Sequence, residues 1–416
     1  MRCQITTLMS LAGKVSCALL AIGVALPAAQ AEESLVDAIK NGRLILDIRY
    51  RFEYVDQDGR PENAEAHTVR TKLGYETAPF YDFSVLLELE NSLTLGGENF
   101  NNTINGKTRY PVVADPEATE VNQAYLTYGG IPDTKVQAGR RGIILDNQRF
   151  VGTVGFRQNE QTFDSATIAN STLANLTAQY SYVFGVQRIF GDDSRVGDFD
   201  TRSHLVHLAY DGFEIASITG YTYLIDLDQD APGLSSKTFG LRAKGSYPIG
   251  DAKLLYTAEF AHQSDYANNP ADFGLSYFLI EPGIAFHGLT AKAGFESLGG
   301  NGRNAFQTPY ATLHAFQGWA DVFLTTPADG IEDYYASLSY VFDVNGLEFL
   351  DGLKLTGVYH LFEAEDSGTD YGSEWDFDIT KKIYDRFTLS LTYASYERDQ
   401  FAADIERFWF TVRFKY

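Results

Sequence analysis

The feature that most limits how this chain can fold is a repeated alternation of apolar and polar side chains along segments of about ten residues. From Arg43 to Val55, Leu44, Leu46, Ile48, Tyr50, Phe52 and Tyr54 fall on one side and Asp47, Arg49, Arg51 and Glu53 on the other. A period of two is that of an extended strand with two unlike faces. Read this way, the chain predicts strands near 43-55, 67-78, 83-91, 121-129, 135-141, 162-169, 174-184, 203-211, 213-225, 236-247, 252-262, 273-286, 289-297, 332-342, 353-362, 374-382, 387-397 and 406-416, eighteen in all. Their connectors alternate. Pro79 to Asp82, Gly130 to Thr134, Asp211-Gly212 and His287-Gly288 are short, while Asp56 to Ala66, Ser92 to Glu120, Gly185 to Arg202 and Leu298 to Ile331 are long; only Asp343 to Gly352 exceeds the rule. After the first 31 residues there is no run long and apolar enough for a membrane helix. An even number of amphipathic strands with short turns opposite long loops predicts an all-β fold, a transmembrane antiparallel β-barrel of about eighteen strands.

In hydrocarbon no backbone amide or carbonyl can stay unpaired, so such a sheet must close and turn its apolar face to lipid. Leu44/Leu46/Ile48, Val85/Leu87/Leu89, Phe239/Leu241, Leu254/Phe260 and Phe387/Leu389/Leu391 make that face, with Tyr50, Tyr75, Tyr180, Tyr182 and Tyr340 in aromatic girdles. A barrel this wide holds water rather than packed side chains. The other face is therefore where function belongs. The expected pore-lining residues are Arg49, Arg51, Arg70, Lys72, Arg140, Arg141, Arg149, Arg157, Arg242 and Lys244, opposed by Asp47, Glu53, Glu76 and Glu281. Lys253, Lys292, Lys354, Arg407, Arg413, Glu259, Glu296, Glu374 and Asp376 share that face. The chain as a whole carries 33 Lys+Arg against 55 Asp+Glu, a net charge of −22. That balance counts against nucleic acid as a partner. Much of the acidic excess sits in the long loops, where divalent ions can bridge it to lipopolysaccharide. Asp226-Leu227-Asp228-Gln229-Asp230 lacks the glycine and terminal glutamate of a helix-loop-helix calcium loop, so neither a metal nor any other cofactor is expected.

Residues 1-31 read as an export signal, with Arg2 and Lys14 in its positive leader, Val15 to Pro27 apolar and Ala29-Gln30-Ala31 at the cleavage site. Residues 32-416 then form a single barrel domain bound for the bacterial outer membrane. Both cysteines, Cys3 and Cys17, lie in the leader, which leaves no thiol chemistry beyond it. The last segment alternates Phe408, Phe410, Val412, Phe414 and Tyr416 against Arg407, Thr411, Arg413 and Lys415. It resembles the C-terminal recognition segment of the bacterial barrel-assembly machinery. An enzyme is not expected. No GxSxG elbow or HExxH pair occurs, and His204 and His207, three apart on a strand, face opposite ways. No GxxxxGK[ST] phosphate loop is present, so transport is downhill.

Two connectors are too long for tethers. Gly139 to Glu160 carries Arg140, Arg141, Arg149 and Arg157 among glycines; Leu298 to Ile331 carries Phe306, Pro309, His314, Phe316 and Trp319. Aromatic residues are costly in open solvent, so both are expected to fold into the lumen as a constriction or lid, the alternative being that they pack on each other as an external cap. Val121 to Tyr125, Ala138 to Arg141, Leu145 to Gly152, Arg157 to Asp164 and Phe306 to Asp321 together resemble the alginate-export family of proteobacterial outer-membrane porins. The resemblance implies eighteen strands and an arginine-rich lumen, with Arg140, Arg141, Arg149 and Arg157 lining it. The expected function is passive passage of anionic or hydroxyl-rich solutes such as uronates or polysaccharide. The alternatives are a general or organic-acid- or amino-acid-selective porin, or a non-conducting structural or receptor barrel. Reversing Arg140, Arg141 and Arg149 is expected to shift anion preference toward cations.

Overall fold

A computed structural model describes residues 34–344, 347 and 349–416, so the export signal expected over 1–31 lies outside the described residues. A short helix, α1 (Leu35–Lys40), precedes eighteen strands among the described residues. These are β1 (Arg43–Gln57), β2 (Ala64–Glu76), β3 (Phe83–Thr94), β4 (Ala118–Ile131), β5 (Thr134–Arg141), β6 (Thr162–Asn170), β7 (Leu176–Gln187), β8 (Asp198–Tyr210) and β9 (Ala216–Ile225). The second half comprises β10 (Ser236–Ile249), β11 (Ala252–Asp265), β12 (Gly274–Phe286), β13 (Leu289–Leu298), β14 (Ile331–Val341), β15 (Lys354–Glu363), β16 (Asp370–Ile383), β17 (Phe387–Arg398) and β18 (Ile405–Lys415). Each strand pairs antiparallel with its sequence neighbours, and β1 pairs with β18 to close the sheet. No edge is left, as a membrane requires.

The two faces invert the usual order of a soluble protein. Leu87 is 50 %, Leu241 58 % and Phe260 52 % exposed, whereas Arg70 and Glu374 are fully buried. Apolar side chains form an outward belt for acyl chains, and the ionic ones look inward. His204 lies outside against Tyr180 and Tyr182, while His207 points in and meets Asp146 at 2.9 Å. Short turns sit at the end where β1 begins. The two-residue hairpin His287-Gly288 has both φ angles positive, 44° and 81°, the geometry whose twist matches its strands.

Several strand boundaries differ from the sequence reading, and two of them change a connector. The first long connector is only residues 58–63, because β2 starts at Ala64, and β8 starts at Asp198 rather than near 203. Ala64 and Ala66 are fully buried inward-facing residues. Small side chains give almost no alternation signal, so the strand end was not legible there. The buried apolar cluster sits inside the barrel and joins loop residues to inward-facing strand residues: Phe150 packs on Tyr221, Tyr277 and Phe306, and Phe163 on Tyr310.

Candidate functional site

Residues 142–161, between β5 and β6, and residues 299–330, between β13 and β14, both enter the lumen and are zipped together. Gly152 N donates to Tyr310 O at 2.8 Å, Thr312 N to Gln148 O at 3.0 Å, and Val154 N to Thr312 Oγ1 at 2.9 Å. Of the ring residues expected out of solvent, His314 makes the contact between the loops: it stacks on Phe156 with centroids 3.4 Å apart, and both rings abut Trp409 of β18.

Charge fixes this pair of loops to one wall. On β1, Arg49 donates to Gln158 Oε1 (2.9 Å), Gly155 O (2.8 Å) and Arg157 O, and Arg51 to Phe156 O (2.7 Å) while lying 4.1 Å over its ring. On β2, Arg70 and Lys72 each meet Glu160 at 3.1 Å. Arg157 is the hub. It reaches Glu53 at 3.1 Å, Asp321 at 2.8 Å and Asp115 at 3.8 Å, and Arg407 of β18 shares Glu53 at 3.0 Å. A second wall holds the other loop. Ala320 N donates to Glu374 Oε1 at 2.6 Å, Trp319 N to Asp376 Oδ2 at 3.3 Å, and Arg407 Nε to Ala320 O at 2.9 Å. Gly318, at φ +81°, is required here, since a Cβ would stand 2.3 Å from Glu374 Oε2. Arg149 ties the loops to β13 through Glu296 at 2.7 Å, with Thr308 and Gln317 at 3.2 Å each.

Asp321 shows how strongly the cations act on the loop carboxylates. Burial alone would raise its carboxyl, but His314, Arg157 and Arg407 outweigh burial and hold it well below the usual carboxylate range. Glu160 is likewise lowered, with burial opposed by Lys72 and Arg70. Both folded values are depressed, so their contribution to loop insertion is complete above the unfolded values of about 4 and fades as pH falls through the folded ones. Conductance in planar bilayers is therefore expected to stay level from neutrality to about pH 4 and to rise below it as the loops loosen. A rise already complete by about pH 5 would contradict this account.

The loops leave open the side of the lumen formed by β10 to β15. A cavity of about 330 Å³ lies there between the loop tip (Ala315, Phe316, Gln317, Trp319) and a wall of Arg242, Glu281, Lys292, Asp333, Tyr335, Ser337, Ser339, Lys354, Thr356 and His360. A second cavity of about 140 Å³ shares Asn147 and Arg242 with it and adds Asp146, Ser217, Thr219 and Lys244. Arg242 is paired with Glu259, Lys292 with Glu281 at 2.8 Å, and His360 with Asp333 at 2.9 Å. Among the described residues Lys244 and Lys354 have no acidic partner. The open path is thus bordered by hydroxyls, neutralised pairs and two uncompensated ammonium groups.

The expected pore residues therefore divide. Arg242, Lys244 and Glu281 border the cavities. Asp47, Arg49, Arg51, Glu53, Arg70 and Lys72 face the lumen but are each 9 % exposed or less. Asp47 meets Arg70 at 3.2 Å and the rest of this group holds the 142–161 loop. Arg149 and Arg157 are buried inside the loop assembly. Arg140 makes a two-pronged pair with its register partner Asp164, at 2.9 and 3.1 Å, and Arg141 bonds Thr167 at 3.1 Å. Glu76 sits at the rim against Arg43 at 2.8 Å. The sequence reading missed Asp333, Tyr335 and His360 as lining; inward alternation of Ile331, Asp333, Tyr335, Ser337 and Ser339 was the available signal. Trp409 was also missed among the basic residues of β18, although it is buried at 1 % exposure. In the 226–230 segment, Arg202 meets Asp226 at 3.3 Å and Asp228 at 3.1 Å, and Asp230 accepts Asp200 N, so these acids are spent on protein partners.

No family model and no curated protein matches the chain. Solved structures do. OpdL of Pseudomonas aeruginosa aligns at TM-score 0.68 and 17% identity over 91% of this chain and 99% of that one. OccAB4 of Acinetobacter baumannii aligns at 0.71 and 13% over 90% and 98%. A BenF-like porin from Pseudomonas fluorescens Pf-5 aligns at 0.70 and 14% over 91% and 100%. The chain has the fold of an outer-membrane porin. With its outward apolar belt, this porin-fold barrel sits in the outer membrane. The neighbours support a porin in general; they lend nothing to the alginate-export resemblance.

Proposed function

We propose that this porin-fold barrel is a passive, downhill channel for small anionic, hydroxyl-rich solutes, with monomeric uronates and comparable organic acids as the class. The observation that carries the reading is the cavity beside the loop tip, where Lys354 stands uncompensated among Tyr335, Ser337, Ser339 and Thr356. Its volume of about 330 Å³ is at the lower end for small-molecule sites. That favours single acids or sugars over a polysaccharide chain, and so favours the selective-porin alternative over polymer export. The acidic loops remain candidates for divalent bridging to lipopolysaccharide, and the outward Phe408, Phe410, Phe414 and Tyr416 for the assembly machinery. The barrel works without a cofactor and as a channel rather than an enzyme.

Liposome swelling tests the proposal. Glucuronate is expected to enter faster than glucose of similar size, glucose faster than an oligouronate, and a cationic amino sugar slowest. Equal rates for all four, or a fastest rate for the cation, would overturn the reading.

A further inference from the structure

Helix α1 lies outside the barrel wall rather than under the lumen. Tyr75 is the register partner of the belt residue Leu44, so its side chain points outward, and its hydroxyl donates to Ile39 O. Ala78 N of the next turn donates to Ala38 O at 3.0 Å. Ser34 caps the helix by accepting Asp37 N at 3.1 Å. At 3.6 residues per turn, three sectors separate. Ala38 faces the wall and is buried; Leu35, Val36 and Ile39 form an apolar arc, 57 %, 56 % and 51 % exposed; Asp37 and Lys40 occupy the remainder. Ile39 of the arc is thus tied to Tyr75 on the outward face of β2, the same face on which Leu73, two residues along, is 50 % exposed.

We propose that α1 is an interfacial foot, seated in the periplasmic leaflet of the membrane, with Leu35, Val36 and Ile39 among the upper acyl carbons. Two observations select phospholipid over a protein partner. The arc is continuous with the surface that acyl chains already cover, and the polar sector carries Lys40, which can reach headgroup phosphates while Asp37 faces water. A short amphipathic helix lying in the plane of the headgroups with its apolar side down is a stable arrangement at such a boundary. Held to the wall through Tyr75 and Ala78, it fixes the height at which β1 enters the bilayer.

The test uses the chain from Glu32 onward, which contains no cysteine, reconstituted in phosphatidylcholine/phosphatidylglycerol vesicles, with nitroxide labels on Val36→Cys, Ile39→Cys, Asp37→Cys and, as a belt reference, Leu87→Cys. Heat-modifiable gel migration confirms that each barrel is folded. The ratio of oxygen to water-soluble nickel-chelate collisions is expected to be at least about threefold higher at 36 and 39 than at 37, and highest at 87. Ratios at 36 and 39 equal to that at 37 would overturn the proposal. So would labels there that are immobile and shielded from both reagents, which would mean protein covers the arc. Because Leu87 reports the membrane reading separately, failure of the foot alone is distinguishable from failure of the barrel's placement.

Discussion

Replacing Arg157 by glutamate is expected to expel both constricting loops and raise single-channel conductance several-fold. The wild-type guanidinium stands among Glu53, Asp115 and Asp321, none more than about 2 % exposed at its side chain. Arg157→Glu puts a fourth carboxylate in that group. Removing one partner from a buried charge cluster costs about 3–5 kcal/mol, because the charges left behind lose compensation without regaining water. At 1.4 kcal/mol per tenfold, that shifts the equilibrium between inserted and withdrawn loops by roughly two to four orders of magnitude. The barrel wall does not depend on it, since the strand ladder closes through β1 and β18 independently. Heat-modifiable migration should therefore persist while protease cuts appear within 142–161 and 299–330. Arg157→Lys, which keeps the charge but loses the fork, should fall between. An Arg157→Glu channel with wild-type conductance and intact loops would show that this hub does not hold them.

The second large effect concerns selectivity. Lys244, Lys292 and Lys354 border the open path, and two of them have no acidic partner among the described residues. Changing all three to glutamate alters the lumen charge by six without touching the loop anchors. The anion-to-cation permeability ratio in a salt gradient is expected to fall by at least about tenfold and to cross unity. The same exchange at Arg140, Arg141 and Arg149, which the sequence alone favoured, is a poorer test. Arg140 and Arg149 are bound to Asp164 and Glu296, so reversing them breaks structure before it changes the path. A triple lysine variant that keeps wild-type selectivity would move the path elsewhere in the lumen.

Much of the barrel was legible because a strand in a membrane has one physical signal, alternation at period two, repeated eighteen times. It failed where side chains were too small to alternate, as at Ala64 and Ala66. The aromatic residues of both long connectors showed that these segments leave water, which favoured inward folding but would also have suited an external cap. What they touch was not legible. Arg157 and Glu53 are 104 residues apart, and nothing local to either says they meet. The dense arginines of β1 and β2 read as pore lining because sequence shows charge, not what neutralises it; Arg49 and Arg51 spend theirs on carbonyls of residues 155–157. The less conspicuous Lys354 and Tyr335 are the ones left facing the cavity.

A chain with a net charge of −22 would, on that number alone, favour cations. In the channel proposed above, the acids are instead spent on loop anchors and outer loops, and the path itself is basic. The reversal potential of the unmodified channel in a KCl gradient decides between them. A potential on the chloride side of zero is the predicted result; one on the potassium side would contradict the central claim.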